Sequence, residues 1–569
     1  MFKKHPAGLY VLGLANTGER FGYYTMLAIF LLFLQAKFGF DATVSGQIYA
    51  GFLALVYFMP LLGGWVADRW NFSKCVVTGI AVMFVGYAVM AIPTDIRSSS
   101  SLIILCAALL LIAVGTGLFK GNLQVMVGDL YNEPRYAPQR DAAFSLFYMA
   151  INIGSMFAPM VATAMCDLAM NSAGLTYVST LPALCNSVLD GTADAPALIA
   201  LAAEHGMDAA TNVTAFAEHY ITTLTTGYSY AFAVACVSLI VSFLIYFLGR
   251  PTYRHIIGAA KGAAAGAKAQ TVAGPQLSPE QTRQRIIALL LVFAVVIFFW
   301  MVFHQNGATL TEFAKTCTNP EAAGFTRIGF NVWALLAVAV AVYALFSLFQ
   351  SRGTGPRIAS VIVLFLCGWA IWYFYAVTPD PVAGIQPQQY QQFNPCYVVA
   401  LTPVSLAIFG WLAKRKKEPS APRKIGYGMI MAAVAYAVMC FGSLSIMGTN
   451  AAVSPNWLIS TYLLLTFAEL LLSPMGISFV SKVAPPKFKG SMMGGWFAAT
   501  AIGNYLVSIP MLLWGKIPVW VVWIILIGIC LLSALFIFSV MKKLEAATSD
   551  PTPEVPAAQA IENVEDDAI

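Results

Sequence analysis

Five ionisable side chains lie inside long apolar stretches. Glu19 and Arg20 fall within residues 8–34, and Lys120 in Gly115-Thr-Gly-Leu-Phe-Lys120-Gly-Asn122. His304 sits in Phe298-Phe-Trp-Met-Val-Phe-His304-Gln305-Asn306-Gly307, and Glu469 in Leu465-Thr-Phe-Ala-Glu469-Leu-Leu-Leu-Ser-Pro474. A charge in such a stretch is costly unless it faces a watery cavity or a partner, so intramembrane charges read as functional by default. Both signs are present. They suit opposed charges around one cavity, and equally structural ion pairs or side chains snorkelling at a boundary. The His304 imidazole ordinarily titrates near neutral pH and can carry a proton; the alternative is a hydrogen-bonded helix residue near the outer boundary. Tyr23, Tyr24, Tyr57, Trp300 and Trp496 are pocket candidates, although most membrane aromatics only pack or mark the interface. Asn122, Asn152 and Asn394 carry amides that need partners when buried, and each also suits helix–helix glue. Other chemistries are poorly served. The ten cysteines show no metal-ligand spacing, and no glycine-rich loop with Lys and Ser or Thr is present to cradle phosphates. No nucleophile–base pair stands out, so an enzyme is the least supported class.

The elements that hold these residues are transmembrane helices. The chain has 569 residues, 59% hydrophobic and 10% charged, against about 25% charged in an ordinary soluble domain. Its mean hydropathy is +0.74. The expected class is an all-α polytopic membrane protein in contact with a lipid bilayer. The net charge of +6 comes largely from loops and carries no nucleic-acid signal. Residues 8–34 would make a helix of about 40 Å, longer than the roughly 30 Å apolar slab, and are expected as a retained first span rather than a cleaved signal. Fourteen spans are predicted at 8–34, 46–67, 73–93, 100–124, 141–165, 226–248, 286–310, 329–349, 358–378, 393–412, 425–447, 457–480, 491–513 and 517–541. Setting aside Arg20 and Lys120, 25 of the other 30 basic residues fall on the N-terminal side. That asymmetry places both termini in the cytoplasm.

Three segments lie outside the spans. Residues 166–225 form a predicted extracytoplasmic loop without Lys or Arg, with a short helix near 194–206. Cys166 and Cys185 within it are either a disulfide of an oxidising compartment or two unlinked thiols. Residues 249–284 read as a flexible cytoplasmic linker dividing six spans (1–248) from eight (285–543). Residues 544–569 read as a disordered acidic cytoplasmic tail. In the Gly63-Gly64-Trp65-Val66-Ala67-Asp68-Arg69 stretch, the glycines allow close helix approach and Asp68 and Arg69 can cap and pair across a gate.

Over most of residues 8–540 the chain resembles the proton-dependent oligopeptide transporter family, within the major facilitator superfamily. The resemblance rests on Glu19-Arg20-Phe21-Gly22-Tyr23-Tyr24, Gly64 to Arg69, Gly117-Leu-Phe-Lys120-Gly-Asn122 and Phe147-Tyr148-Met-Ala-Ile151-Asn152-Ile-Gly154. Phe393-Asn394-Pro395, Glu469-Leu-Leu-Leu-Ser473-Pro474-Met-Gly476 and Trp496-Phe497 complete it. It implies 12 core helices in two six-helix bundles with alternating access around a central site. It also implies proton-driven uptake of di- and tripeptides, without a cofactor other than the coupling proton, by a protein functional as a monomer in a bacterial inner membrane. Arg20 and Lys120 then look like the receivers of a peptide carboxylate, and Glu469 like the acceptor of its amino group. Tyr23, Tyr24, Tyr57, Asn152, Asn394 and Trp496 look like pocket residues, and Glu19 like a member of the proton-coupling cluster.

Three departures keep a second reading open. Asn16 stands where the family usually has Glu, and His304-Gln305 where its seventh span usually has Glu-Gln. Either His304 substitutes as the titrating group or Glu19 works alone; otherwise the solute is another small zwitterion or anion, such as an amino acid, nitrate or a peptide-like drug. The extra helical hairpin, expected over about 329–378, follows the seventh span instead of preceding it and should pack outside the transport bundle. A receptor acting through the 166–225 loop has less support, because it needs no such buried charge.

Overall fold

The computed structural model describes residues 5–131, 133, 135, 136, 140–191, 194–256, 278–351, 353–446, 452–485 and 488–549. Among these residues, fourteen helices are long and apolar enough to cross a membrane.

The first half contains α1 (Ala7–Phe38), α2 (Ala42–Arg69), α3 (Phe72–Ala91), α4 (Ser99–Asp129), α5 (Arg140–Ser172), the short α6 (Leu181–Leu189) and α7 (Ala195–Glu204), and α8 (Val213–Leu248). Its centre is α1, which packs on α5 and α8, while α2 and α3 pack on α4. Small residues permit this closeness. A Cβ on Gly63 would lie 2.1 Å from the Gly117 carbonyl oxygen, so α2 and α4 touch backbone to backbone there.

The second half contains α9 (Pro279–Phe303), α10 (Thr309–Thr316), α11 (Val332–Gln350), α12 (Thr354–Val377) and α13 (Phe393–Lys414). It continues with α14 (Ala421–Leu444), α15 (Asn456–Val483), α16 (Lys489–Leu506), α17 (Ser508–Leu513), α18 (Val519–Ser539) and α19 (Met541–Ser549). Helix α14 packs on α15 and α18, and α9 on α16. Each half has its own main hydrophobic core. The halves meet where α2 packs on α16 and α17, and α5 on α13. Helices α11 and α12 pair with each other, and only Ser360 and Cys367 of α12 are buried, so the hairpin lies at the periphery of the second half.

Several boundaries differ from the sequence expectation. Helices α5 and α8 extend into the predicted outer loop and leave 173–212 between them, with α6 as an unanticipated second helix. Asn186 explains α6: its Nδ2 donates to the carbonyls of Gln35, Ala36 and Pro182, tying the loop to the end of α1. Cys166 and Cys185 are free, buried thiols. Helix α9 starts at Pro279, inside the predicted linker, behind a capping box in which Ser278 and Gln281 satisfy each other's backbone N–H groups; residues 257–277 of that linker lie outside the described residues. The seventh span runs over 279–316, interrupted by a 3-10 turn at His304–Gly307. The tail expected to be disordered from 544 begins as helix α19, because Met541, Leu544 and Ala547 bury one face. Residues 550–569 of the tail lie outside the described residues.

Polar links between the halves gather at the face opposite the termini. Gln35 Nε2 of α1 donates to Glu312 of α10 (2.9 Å), and Lys315 Nζ donates to Gln35 Oε1 (2.7 Å). Gln388 Nε2 reaches Thr163 (3.0 Å), and Gln391 Nε2 reaches the Ala28 carbonyl (3.2 Å).

Candidate functional site: opposed charges between the halves

On α1, residues 19, 20, 23 and 24 share one side because they form two adjacent pairs, 19/20 and 23/24, set four residues apart on a 3.6-residue turn. Arg20 binds Glu19 through two hydrogen bonds of 2.5 Å, Nε to Oε2 and Nη2 to Oε1. The two side chains are 3% and 1% exposed, so this fork is a desolvated ion pair. The Arg20 guanidinium also lies 4.7 Å from the Tyr23 ring centre, and Tyr23 meets Tyr24 edge-on. Asn16 Nδ2 and Tyr23 Oη are buried without a protein partner.

A second group runs across the halves. Lys120 of α4 lies 4.1 Å from the centre of the Tyr57 ring of α2. Tyr57 lies 6.0 Å from His304, which stacks on Trp300 at 5.0 Å. His304 Nδ1 is 2.6 Å from Asn504 Oδ1 of α16. The tautomer that satisfies this pair has Nδ1–H donating, and leaves Nε2 free to exchange a proton. Lys120 interacts electrostatically with Arg20, Glu19 and His304, which joins the two groups.

The third group is anionic. Glu469 of α15 accepts from Tyr148 Oη of α5 (2.9 Å) and from Asn394 Nδ2 of α13 (3.1 Å). Asn394 also donates to Thr466 (3.0 Å). Glu469 is buried, and both of these donors are neutral. Among the described residues, neither Glu469 nor Lys120 has an opposite charge within 4.0 Å. Tyr24 and Tyr57 each interact electrostatically with both Arg20 and Glu469.

The structure thus brings Glu19, Arg20, Tyr23, Tyr24, Tyr57, Lys120, His304, Asn394 and Glu469 to the region between the halves. Two expected pocket residues also make structural contacts. Asn152 donates to the Tyr148 carbonyl of its own helix, which places it beside the Tyr148–Glu469 contact. Trp496 is 4% exposed, packs edge-on against Phe293 and fills the space that Gly476 leaves open on α15. Asn122 donates to the carbonyls of Gly63 and Leu118 and acts as glue between α2 and α4. Sequence reasoning left Tyr148, Thr466 and Asn504 out of the site. Tyr148 was visible inside the Phe147–Gly154 motif, four residues before Asn152, and Thr466 three residues before Glu469; Asn504 carries no local signal. Among the described residues, no group of three or more His, Cys, Asp or Glu side chains is placed to hold a metal ion.

The comparisons agree with this architecture. The chain is 27% identical over 545 residues to "Uncharacterized transporter YclF" of Bacillus subtilis, covering 91% of this chain and 90% of that one. It is 26% identical over 528 residues to the "Di-/tripeptide transporter" of Lactococcus lactis subsp. lactis, covering 88% and 87%. A crystal structure of a mutant peptide transporter POT in complex with alafosfalin superposes with a TM-score of 0.66, at 22% identity over 96% of this chain and 97% of that one, a likeness of fold. The sequence model described as "PTR2: POT family" matches residues 73–276 and 362–520, more than half of the chain. The chain therefore belongs to the POT family, the proton-dependent oligopeptide transporters that its motifs resemble.

Proposed function

We propose that the protein is a proton-coupled symporter that imports di- and tripeptides by alternating access. The observation that carries this reading is Glu469: a buried carboxylate held by two neutral donors, with the cations Arg20 and Lys120 elsewhere in the same interior. A peptide zwitterion supplies the missing counter-charge at each end, its ammonium to Glu469 and its carboxylate to Lys120 and Arg20. Recognition of the two backbone ends leaves the side chains to the remaining space, lined by Tyr23, Tyr24 and Tyr57 with Asn152, Asn394 and Trp496 supporting the walls.

Coupling follows from the Glu19–Arg20 fork. While both its hydrogen bonds to Glu19 persist, the guanidinium is engaged. A proton on Glu19 neutralises its partner and frees Arg20 for the substrate carboxylate. His304, across Tyr57 from Lys120, is the second proton carrier and takes the place of the Glu that the resembled family usually has in its seventh span. Inward movement of one proton with a neutral zwitterion gains about 2.3 kcal/mol per 100 mV of membrane potential. The halves 1–248 and 285–543 are the moving bodies. Both termini face the cytoplasm of a bacterial inner membrane, and the single chain is the working unit. Under this orientation the polar links at Gln35 and Glu312 close the outer face. Symport of another small zwitterion or anion is the second reading, favoured by Asn16 and His304 standing where the resembled family usually has carboxylates.

The test is proton flux into proteoliposomes with dialanine outside and an inward proton gradient. Wild type is expected to show dialanine-dependent proton entry, and Glu469→Gln to lose it. In His304→Gln, dialanine binding is expected to survive while coupled proton entry falls. No dialanine-dependent flux from folded wild-type protein would reject peptide symport and favour the second reading.

A further inference from the structure

His304 stands at a break between helices. Helix α9 ends at Phe303, and a 3-10 turn over His304–Gly307 leads into α10. A second break faces it, where α16 ends at Leu506 and α17 begins at Ser508. Two side-chain bonds join the breaks. His304 Nδ1 lies 2.6 Å from Asn504 Oδ1, and Gln305 Nε2 donates to the Val507 carbonyl (3.2 Å). Gly503 permits the approach. A Cβ there would lie 2.3 Å from the Ile297 carbonyl oxygen, so α16 meets the backbone of α9 immediately before Asn504. Trp300 stacks on the His304 ring at an interplanar angle of 19° and so sets its plane.

Asn504 is fully buried, and among the described residues its side-chain amide bonds to His304 alone. Nδ2 is left buried without a partner. An open donor in a core is costly, and imidazole chemistry accounts for the way the amide faces. Nδ1 of a ring held in this way carries a hydrogen when the ring is neutral and again when it is protonated, so Oδ1 accepts from it in both charge states. The reversed amide would donate Nδ2 to a bare Nδ1 and would oppose the protonated ring. The observed orientation is the one that suits both states without any rotation of the side chains. The charge that acts on the ring comes from elsewhere, from Lys120 of α4.

We propose that Asn504 is the positioning residue for His304 in proton transfer: it holds Nδ1–H throughout and leaves Nε2 as the one nitrogen that gains and loses the coupling proton. Uptake forms an N–H bond at the Nε2 lone pair and release breaks the same bond, while the Nδ1–H bond stays intact. Asn504 acts through the imidazole and not on the substrate. The assignment rests on the reading of His304 as a proton carrier. It makes the close packing of α16 on α9 at Gly503 part of the proton site, because that packing brings the acceptor within reach of the ring.

Solid-state nitrogen NMR of histidine-labelled protein in nanodiscs tests this, because protonated and bare ring nitrogens give separate signals. The chain has five histidines, and the His304 signals are those that vanish in His304→Gln. In alkaline buffer, where the ring is neutral, wild type is expected to carry its hydrogen on Nδ1. Asn504→Leu removes the acceptor and is expected to lower the ratio of the Nδ1–H to the Nε2–H form about two- to tenfold, the worth of one net hydrogen bond. Asn504→Asp restores an acceptor of the same shape and is expected to bring the Nδ1–H form back. Asn504→Ala takes the place of Asn504→Leu if the leucine lowers the thermal midpoint. In dialanine-driven proton flux, the variant without an acceptor is expected to lose coupled proton entry with dialanine binding retained, and Asn504→Asp to keep it. A wild-type ring protonated on Nε2 overturns the proposal, as does a ratio left unchanged in the folded Leu or Ala variant. So does full coupled flux in a variant whose tautomer has shifted. The expected tautomers without any wild-type flux reject the transport reading and leave the hold of Asn504 on Nδ1 standing.

Discussion

Glu469 owes its role to the chemistry of its donors. Tyr148 and Asn394 supply hydrogen bonds and no charge, so the carboxylate is solvated and stays electrostatically uncompensated. Removing the charge from one partner of a buried ion pair costs about 3–5 kcal/mol. Glu469→Gln is therefore expected to weaken dialanine binding at least 100-fold, read by competition against a labelled dipeptide. Tyr148→Phe deletes one hydrogen bond to a charged acceptor, which costs about 1.5–3 kcal/mol. Because this bond exists without substrate and bridges α5 and α15, its loss is expected as a lowered thermal midpoint in detergent, and an unchanged midpoint would show that Asn394 alone satisfies the carboxylate. At the other end, the Glu19–Arg20 fork explains why two adjacent charges are tolerated so deep in α1: each satisfies the other within one turn of the same helix.

At the scale of elements, close approach of α2 and α4 depends on Gly63. An added methyl would overlap the Gly117 carbonyl, a backbone atom that cannot rotate away. Gly63→Ala is expected to destabilise the first half by about 1–3 kcal/mol, measured as a lowered thermal midpoint in detergent. Gly64→Ala, which meets nothing within 4 Å, is the matched control. Helix α19 is held differently. Leu544 is fully buried, and Glu545 accepts hydrogen bonds from Ser420 and Arg423, which hold its carboxyl below the ordinary 4.5. A carboxyl lowered in the folded state contributes stability above its unfolded value, and that contribution disappears as pH falls through the folded one. Hydrogen exchange over 541–549 is expected to quicken as pH falls below about 4.5, after correction for intrinsic rates. Glu545→Gln should remove that pH dependence.

For the whole molecule, the determining feature is the group of polar links between the halves at the face opposite the termini. Gln35, Glu312 and Lys315 hold the face opposite the termini together, with the Glu312 and Lys315 side chains only 6% and 10% exposed. Loss of about 1–3 kcal/mol from such a contact shifts a two-state equilibrium roughly 5- to 150-fold. Glu312→Ala is expected to populate a state open at that face. Spin labels on Ser100→Cys and Glu321→Cys, with Cys106 and Cys317 replaced by Ser, would report it as a longer distance component. A distance distribution identical to that of the parent would show that packing alone closes this face.

The number and order of the spans, the five intramembrane ionisable residues and the family motifs were all legible in the sequence. Each depends on a local cost: apolar length against a bilayer's thickness, and charge against hydrocarbon. Composition also marked the 166–225 segment as free of basic residues. Local rules did not reach the partners. That Arg20 pairs with its neighbour Glu19 while Lys120 lies on Tyr57 depends on how α1, α2 and α4 are rotated against each other. That Tyr148 and Asn394 converge on Glu469, from 321 and 75 residues away, depends on the register of α5 and α13 against α15. The outer loop was overestimated because α5 and α8 continue past the apolar slab, where tertiary contacts replace lipid. Helix α19 was missed because its acidic, Pro-rich continuation masks three apolar residues that gain their stability only by packing on the second half.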